Sequence, residues 1–207
     1  MDAAGYLHSA HPLPDALLLE LERHAGLAGD GAISRETGRL LSTLVTAMQA
    51  SRILEIGTGI GYATLWMAKA QPRMGKIWTI EPDASRRDVA LSYFARAGED
   101  DAIEVSHTPA LELLGTFPHR NLDLVFVATG KPSYGRYLDI VLPMLKLSGL
   151  AIFGDCLLGG RVAESSNGDE PDVRAMRDFI ARFLSHPALD ATLLPIGGGT
   201  AIGARRR

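Results

Sequence analysis

The sequence predicts an α/β fold, a doubly wound and mostly parallel sheet with helices on both faces, and three observations carry that expectation. Five short apolar runs alternate with stretches of helical periodicity. A glycine-rich turn joins the first run directly to a helix, and the chain closes on two further strand-like runs separated by Gly197, Gly198 and Gly199. Parallel strands need long crossovers, and the crossovers cover the sheet, so strict alternation reads as layers rather than as a bundle or a sandwich.

In chain order, residues 14–26 place Leu17, Leu18 and Leu21 on one helical face, and residues 34–49 repeat the pattern with Leu40, Leu41, Leu44, Val45 and Met48. Two helices are therefore expected to open the protein. Ser34 is a candidate N-cap for the second, after a break at Gly29, Asp30 and Gly31. Strands are expected at 52–56, 76–81, 103–107, 122–128 and 150–154, each rich in Ile, Val, Leu or Phe. The intervening helices are placed at 62–71, 85–98, 109–117 and 134–147, with Pro143 expected to kink or shorten the last. A polar stretch at 163–172, with Ser165, Ser166, Asn167 and Gly168, reads as a long exposed loop of the kind that borders active sites. A helix follows at 172–185, burying Val173, Met176, Phe179, Ile180, Phe183 and Leu184, and the final two runs form an antiparallel hairpin at the sheet edge.

Length and composition narrow the function classes. The 207 residues suit one domain, read as a helical cap over 1–50 and a core over 51–207. Lys and Arg number 21 against 24 Asp and Glu, a net charge of -3, which disfavours a nucleic-acid partner. No run of 18 apolar residues and no leader pattern points to a membrane or to secretion, and a single cysteine, Cys156, fits a reducing cytoplasm. The six histidines show no paired metal-ligand spacing.

The segment RILEIGTGIGYATLWMAKA carries the most chemistry, because Gly57, Gly59 and Gly61 sit between a strand and a helix start. Glycines there let backbone approach a ligand, while the helix presents free N–H groups. A phosphate-binding loop would need Lys and then Ser or Thr after its last glycine, and Tyr62 and Ala63 stand there instead. A dinucleotide loop asks for G-x-G-x-x-G, whereas this is G-x-G-x-G, so a nicotinamide-dependent oxidoreductase survives in weakened form. A turn that serves packing alone is the plainest alternative. The third chemical reading rests on Glu55 before the loop and Glu81 at the end of the next strand, 20 residues after Gly61, where a carboxylate can accept from both hydroxyls of a ribose.

In that combination the chain resembles the class I S-adenosylmethionine (SAM) dependent methyltransferases, whose fold is Rossmann-like. The narrower resemblance runs through LEIGTGIGYATLWMA, the strand ending IEP, LDLVFVATGKPSY, LPMLKLSGLAIFGDCLLGGRVAE and LLPIGGGTAIGARR. Together these look like the small-molecule O-methyltransferases related to the catechol and caffeoyl-CoA enzymes. The resemblance implies SAM as cofactor, held by Glu55, Gly57, Thr58, Gly59, Gly61, Tyr62, Ala63, Glu81 and Pro82, with Pro109 and Ala110 near the adenine. It also implies a small-molecule acceptor and a homodimer.

Relatives of that kind hold a divalent metal through an Asp-Ala-Asp-Lys segment and a later Asp-Asn pair. Matching Phe126, Lys131 and Tyr134 to the pattern puts Ala128 and Gly130 at the first two acidic positions, and Cys156 where the asparagine would stand after Asp155. A methyl group binds no cation, and a hard oxygen-seeking ion gains little from a thiol. A divalent metal is therefore not expected. Lys131 and Asp155 remain as candidate catalytic residues, Lys131 as a base or as a cation facing a phenolate, Asp155 at the carboxyl end of a strand where open sheets bind ligands. A SAM-binding protein that no longer catalyses is the alternative from another class.

Overall fold

In a computed structural model, residues 3–28, 33–164 and 170–206 are described. Seven strands form one sheet in the order β3-β2-β1-β4-β5-β7-β6, from β1 (Arg52–Ile56), β2 (Lys76–Ile80), β3 (Ile103–Ser106), β4 (Leu122–Val127), β5 (Leu145–Phe153), β6 (Leu189–Leu194) and β7 (Thr200–Arg205). The pairs among β1 to β5 are parallel, and β7 runs antiparallel to both β5 and β6. The expected architecture is thus present, with the closing hairpin inserted so that β6 forms the edge.

The helices are α1 (Ala3–Ala10), α2 (Ala16–Ala28), α3 (Arg35–Met48), α4 (Tyr62–Ala68), α5 (Ala84–Ala97), α6 (Ala110–Thr116), α7 (Tyr134–Val141) and α8 (Pro171–Leu184). Two opening helices were expected and a short third, α1, precedes them; its composition, AAGYLHSA, carries no clear apolar stripe for periodicity to detect. Ser34 does cap α3, its side chain accepting from the Thr37 N–H. Asp83 caps α5 in the same way through the Arg86 N–H.

Strand alternation divides the interior into two layers. Leu54, Ile56, Val125 and Val127 face α6, α7 and α8, meeting Tyr134, Leu138, Phe179 and Phe183. Ile53, Leu124 and Phe126 face α2, α3, α4 and α5, meeting Leu21, Leu41, Leu65 and Phe94. All six residues of β4 are buried, the pattern of a central strand covered on both faces. Each such large side chain contributes roughly 1.5–3 kcal/mol by leaving water.

The main departure from the sequence reading lies around Pro143. The helix expected over 134–147 ends at Val141, a 3-10 turn covers Leu142–Met144, and β5 begins at Leu145 rather than at 150. Proline lacks the N–H that another helical turn requires. The early strand is irregular: its register against β4 shifts between Leu122 and Leu124, and Ser148 has φ 63°. The helix expected to reach residue 71 also stops at Ala68. The expected break at Gly29, Asp30 and Gly31 and the polar loop centre at Ser165, Ser166, Asn167 and Gly168 lie outside the described residues. Residues Leu158–Ala163, just before that loop, form an irregular turn kinked at Gly159 and Gly160, which have φ 67° and 98°.

No helix among the described residues is long and apolar enough to cross a membrane.

Candidate functional site

The strand order reverses between β1 and β4, and the segments leaving their carboxyl ends, 57–61 and 128–131, flank the resulting crevice. Gly57, Gly59 and Gly61 have φ values of 100°, 56° and 94°. At Gly57 and Gly61 a side chain would collide: a Cβ would meet Thr129 Cβ at 2.7 Å in the first case and the Phe94 ring at 2.6 Å in the second. The loop is pinned by Gly57 N–H and Thr58 N–H donating to the Ile80 carbonyl, and by Gly61 N–H donating to the Thr58 carbonyl. Beside it lies a recess of about 540 Å³ lined by this loop, Tyr62, Ala63, Glu81, Arg86, Ile33, Ala128 and Thr129. That lining, bare glycine backbone with a carboxylate and an arginine beside it, suits part of a small organic ligand.

Glu81 stands at the lip. One carboxylate oxygen accepts from the Gly59 N–H at 2.8 Å and the other from the Asp83 N–H at 3.1 Å. Each oxygen keeps a further lone pair for an incoming hydroxyl. Beyond Glu81 the crevice continues into a second opening of about 920 Å³, bounded by Pro82, Pro109, Ala110, Leu111, Gly130 and Tyr137. The sequence candidates around the loop, Pro82 and the 109–110 pair are therefore brought to one continuous groove.

Glu55 is placed differently. Strand alternation turns it toward α4, beneath the loop, where it is fully buried and does not line the recess. Thr64 and Thr79 donate to one carboxylate oxygen at 2.5 and 2.6 Å, Thr58 donates to Thr79, and the other oxygen is unpaired. Desolvation pushes the carboxyl up to about 7, against the pull of the two threonine hydroxyls. A folded-state value above the ordinary 4.5 means that the folded protein holds a proton the unfolded chain has released. This group's contribution to stability is complete below pH about 4.5 and is lost as pH rises through about 7. Thermal unfolding across pH 5 to 8 is expected to show this decline in wild type and a flatter profile in Glu55→Gln; equal slopes would refute the assignment.

A third recess of about 620 Å³ adjoins the first and shares Ile33 and Ala128 with it. Its other lining residues are Ser34, Thr37, Lys131, Gly154, Asp155 and Gly198. Here Lys131 Nζ lies 2.7 Å from Asp155 Oδ2, with the two side chains 36% and 46% exposed. The two candidate catalytic residues thus form one ion pair, open to an incoming molecule. Asp155 has φ 53°, a left-handed conformation costing a non-glycine residue about 1 kcal/mol, and it is held there from several sides. Tyr134, wholly buried, donates to the Gly154 carbonyl at 2.8 Å, while the Cys156 and Leu157 N–H groups donate to the Gly199 and Gly198 carbonyls. A side chain at Gly198 would fall on the Asp155 carboxylate.

The donor set does not suit a divalent metal. The Ala128 and Gly130 side chains offer no ligand atoms, and Asp155 is paired with Lys131. The Cys156 thiol is buried, lies 3.3 Å from the Phe153 carbonyl, and desolvation pushes it up to about 12, so it stays protonated. No group of three or more His, Cys, Asp or Glu side chains among the described residues could hold a metal ion.

Ile33, Ser34, Thr37, Arg86, Thr129 and Gly198 belong to these recesses; the sequence names only Ser34, as a helix cap, and Gly198, as part of the closing turn. They come from four separate segments, and only the fold joins them. One signal was available: the glycine triplet at 197–199 had to approach something closely, and a Cβ at Gly197 would meet Thr37 Oγ1 at 2.5 Å.

Comparison with known proteins gives a consistent picture. The model of the O-methyltransferase family matches residues 11–206. A catechol O-methyltransferase of Mycobacterium tuberculosis is 32% identical over 167 residues, covering 81% of this chain and 75% of the relative. The crystal structure of an O-methyltransferase from Bacillus cereus in complex with SAH superposes with a TM-score of 0.87 at 26% identity, covering 98% of this chain and 96% of that one. The O-methyltransferase TomG from Streptomyces achromogenes, in complex with SAM, gives 0.87 at 28% identity over 98% of this chain and 95% of that one.

Proposed function

Because the chain belongs to the O-methyltransferase family, we propose that it transfers a methyl group from SAM to an oxygen of a small molecule, and that the Lys131–Asp155 pair takes over the task its relatives give to a divalent cation. The observation that carries the second part is the pair itself, at the wall shared with the cofactor recess and beside Ala128. SAM, when bound, supplies an electrophilic methyl on a positively charged sulfur.

The residues fit that cofactor. Gly57 and Gly59 line the recess with bare backbone at positive φ, and Glu81 offers its carboxylate to the ribose hydroxyls. Thr58, Tyr62 and Ala63 complete the near part of the groove, and Pro82, Pro109 and Ala110 bound the part that receives the adenine. Glu55 acts from beneath, fixing Thr64 and Thr79 under the loop.

The chain has two tasks in the transfer: to align the acceptor oxygen with the methyl and to deal with the hydroxyl proton. In the proposed arrangement Asp155 accepts that proton while the acceptor oxygen takes the methyl that bound SAM would supply, the sulfonium thereby becoming a neutral thioether. Lys131 donates a hydrogen bond to the same oxygen and stabilises its developing negative charge. Chelation of two adjacent oxygens plays no part, so a vicinal diol is not required. The reading includes a cytoplasmic, homodimeric enzyme, supported by the single cysteine and by the resemblance.

Calorimetric titration with S-adenosylhomocysteine and with NADH, followed by mass analysis of a panel of phenols incubated with SAM, tests this function. Binding of the first ligand alone and a mass gain of one methylene on a phenol are expected. Binding without any product would favour the non-catalytic alternative, and binding of NADH alone the oxidoreductase.

A further inference from the structure

The N-terminal helices meet the core at two carboxylates on α2, and the two have different neighbours. Glu20 receives both guanidinium nitrogens of Arg96 at 2.7 Å and the Tyr93 hydroxyl at 3.2 Å, anchoring α2 to α5 away from the recesses. Glu22 instead receives Arg35 Nε at 3.1 Å, Arg35 Nη2 at 3.0 Å and the Tyr62 hydroxyl at 3.1 Å. Tyr62 opens α4 directly after Gly61, and Arg35 opens α3 directly after Ser34. One carboxylate therefore ties the helix start that follows the glycine loop to the helix start that carries Ile33, Ser34 and Thr37.

Those three residues are the wall in question: Ile33 lines both the glycine-loop recess and the recess of the Lys131–Asp155 pair, and Ser34 and Thr37 line the second. The tie is partly sequestered, with the Arg35 side chain 11% exposed and Glu22 33% exposed, so it is charge-assisted and only partly screened. We infer that Glu22 is a positioning residue, holding the 33–37 wall against the cofactor loop so that Ile33 closes the cofactor recess and separates it from the acceptor. The inference rests on the methyltransferase reading, because it assigns the cofactor to the recess that Ile33 bounds.

The test compares Glu22→Gln, Tyr62→Phe and Glu20→Gln in the full chain, measuring thermal unfolding and the Kd for S-adenosylhomocysteine by calorimetry. A helix anchor with no bearing on the site lowers Tm without moving Kd well below Tm, and Glu20→Gln should behave that way, with Kd within about twofold of wild type. Glu22→Gln should weaken binding about tenfold and Tyr62→Phe, which removes one hydroxyl, about threefold. Kd values for both variants within twofold of wild type would overturn the inference while leaving the methyltransferase reading intact. Should Glu22→Gln fail to fold, Arg35→Lys decides, because Arg35 makes the same tie and lines neither recess: a Kd several-fold weaker than wild type is expected, and one within twofold overturns the inference. No binding by wild type would overturn the methyltransferase reading and the inference with it.

Discussion

Lys131→Met and Asp155→Asn are each expected to lower kcat by about a hundredfold to ten-thousandfold while leaving the affinity for S-adenosylhomocysteine within a few fold. The two side chains meet at 2.7 Å in a recess separated from the glycine loop by Ile33 and Ala128, so they are placed to act on the acceptor and not on the adenosine. Either substitution removes one half of a unit that must both accept a proton and stabilise an oxyanion. The double variant should therefore be little worse than the worse single one. Steady-state turnover with calorimetry on the same preparations checks both statements. Asp155 also sits at φ 53°, so Asp155→Gly should raise Tm modestly while abolishing turnover, a trade expected where strain holds a reacting group. Near-wild-type kcat in either single variant would remove the pair from the mechanism.

Gly57→Ala is expected to abolish measurable cofactor binding, a loss of at least about a hundredfold, and to lower Tm. At φ 100° an alanine is strained by about 1–3 kcal/mol, and its methyl would lie 2.7 Å from two atoms of Thr129 and 3.3 Å from the Thr129 backbone nitrogen. Relief requires movement of the β1 or β4 loop, and these two loops form the crevice. Gly59→Ala is the matched control: φ is 56° and nothing lies within 4 Å of the added methyl, so only the left-handed conformation costs energy, about 1 kcal/mol. The ratio of the two Kd values for S-adenosylhomocysteine separates collision from conformational preference. Equal effects would mean that Thr129 yields freely and that the crevice is softer than described.

These expectations lean on a part of the molecule that the sequence described well and on a part that it did not. The glycine loop and Glu81 were legible because strand, turn, helix and the next strand end are consecutive and each has a local signature. The Lys131–Asp155 pair was legible only as two residues; their contact depends on β4 and β5 being neighbours and on Tyr134 bonding the Gly154 carbonyl beneath them. Glu55 was expected to touch the cofactor, yet it shares a face with Ile53 and so points under the loop, a consequence of the two-residue period of a strand. The wall at Ile33, Ser34 and Thr37 had no signature of its own, since it depends on how α2 and α3 pack over α4. Residues 145–147 read as helix rather than strand because Val141, Leu142 and Leu145 satisfy helical spacing as well as they satisfy a strand start, and only Pro143 separates the two.

The proposed role of the Lys131–Asp155 pair is to do without a divalent cation. Its most direct test is turnover of SAM with a simple monophenol after exhaustive treatment with EDTA, scored by formation of the methyl ether, with and without added magnesium. The expected rate is unchanged within about twofold in all conditions and lost in Lys131→Met. A rate abolished by chelation and restored by magnesium would contradict it.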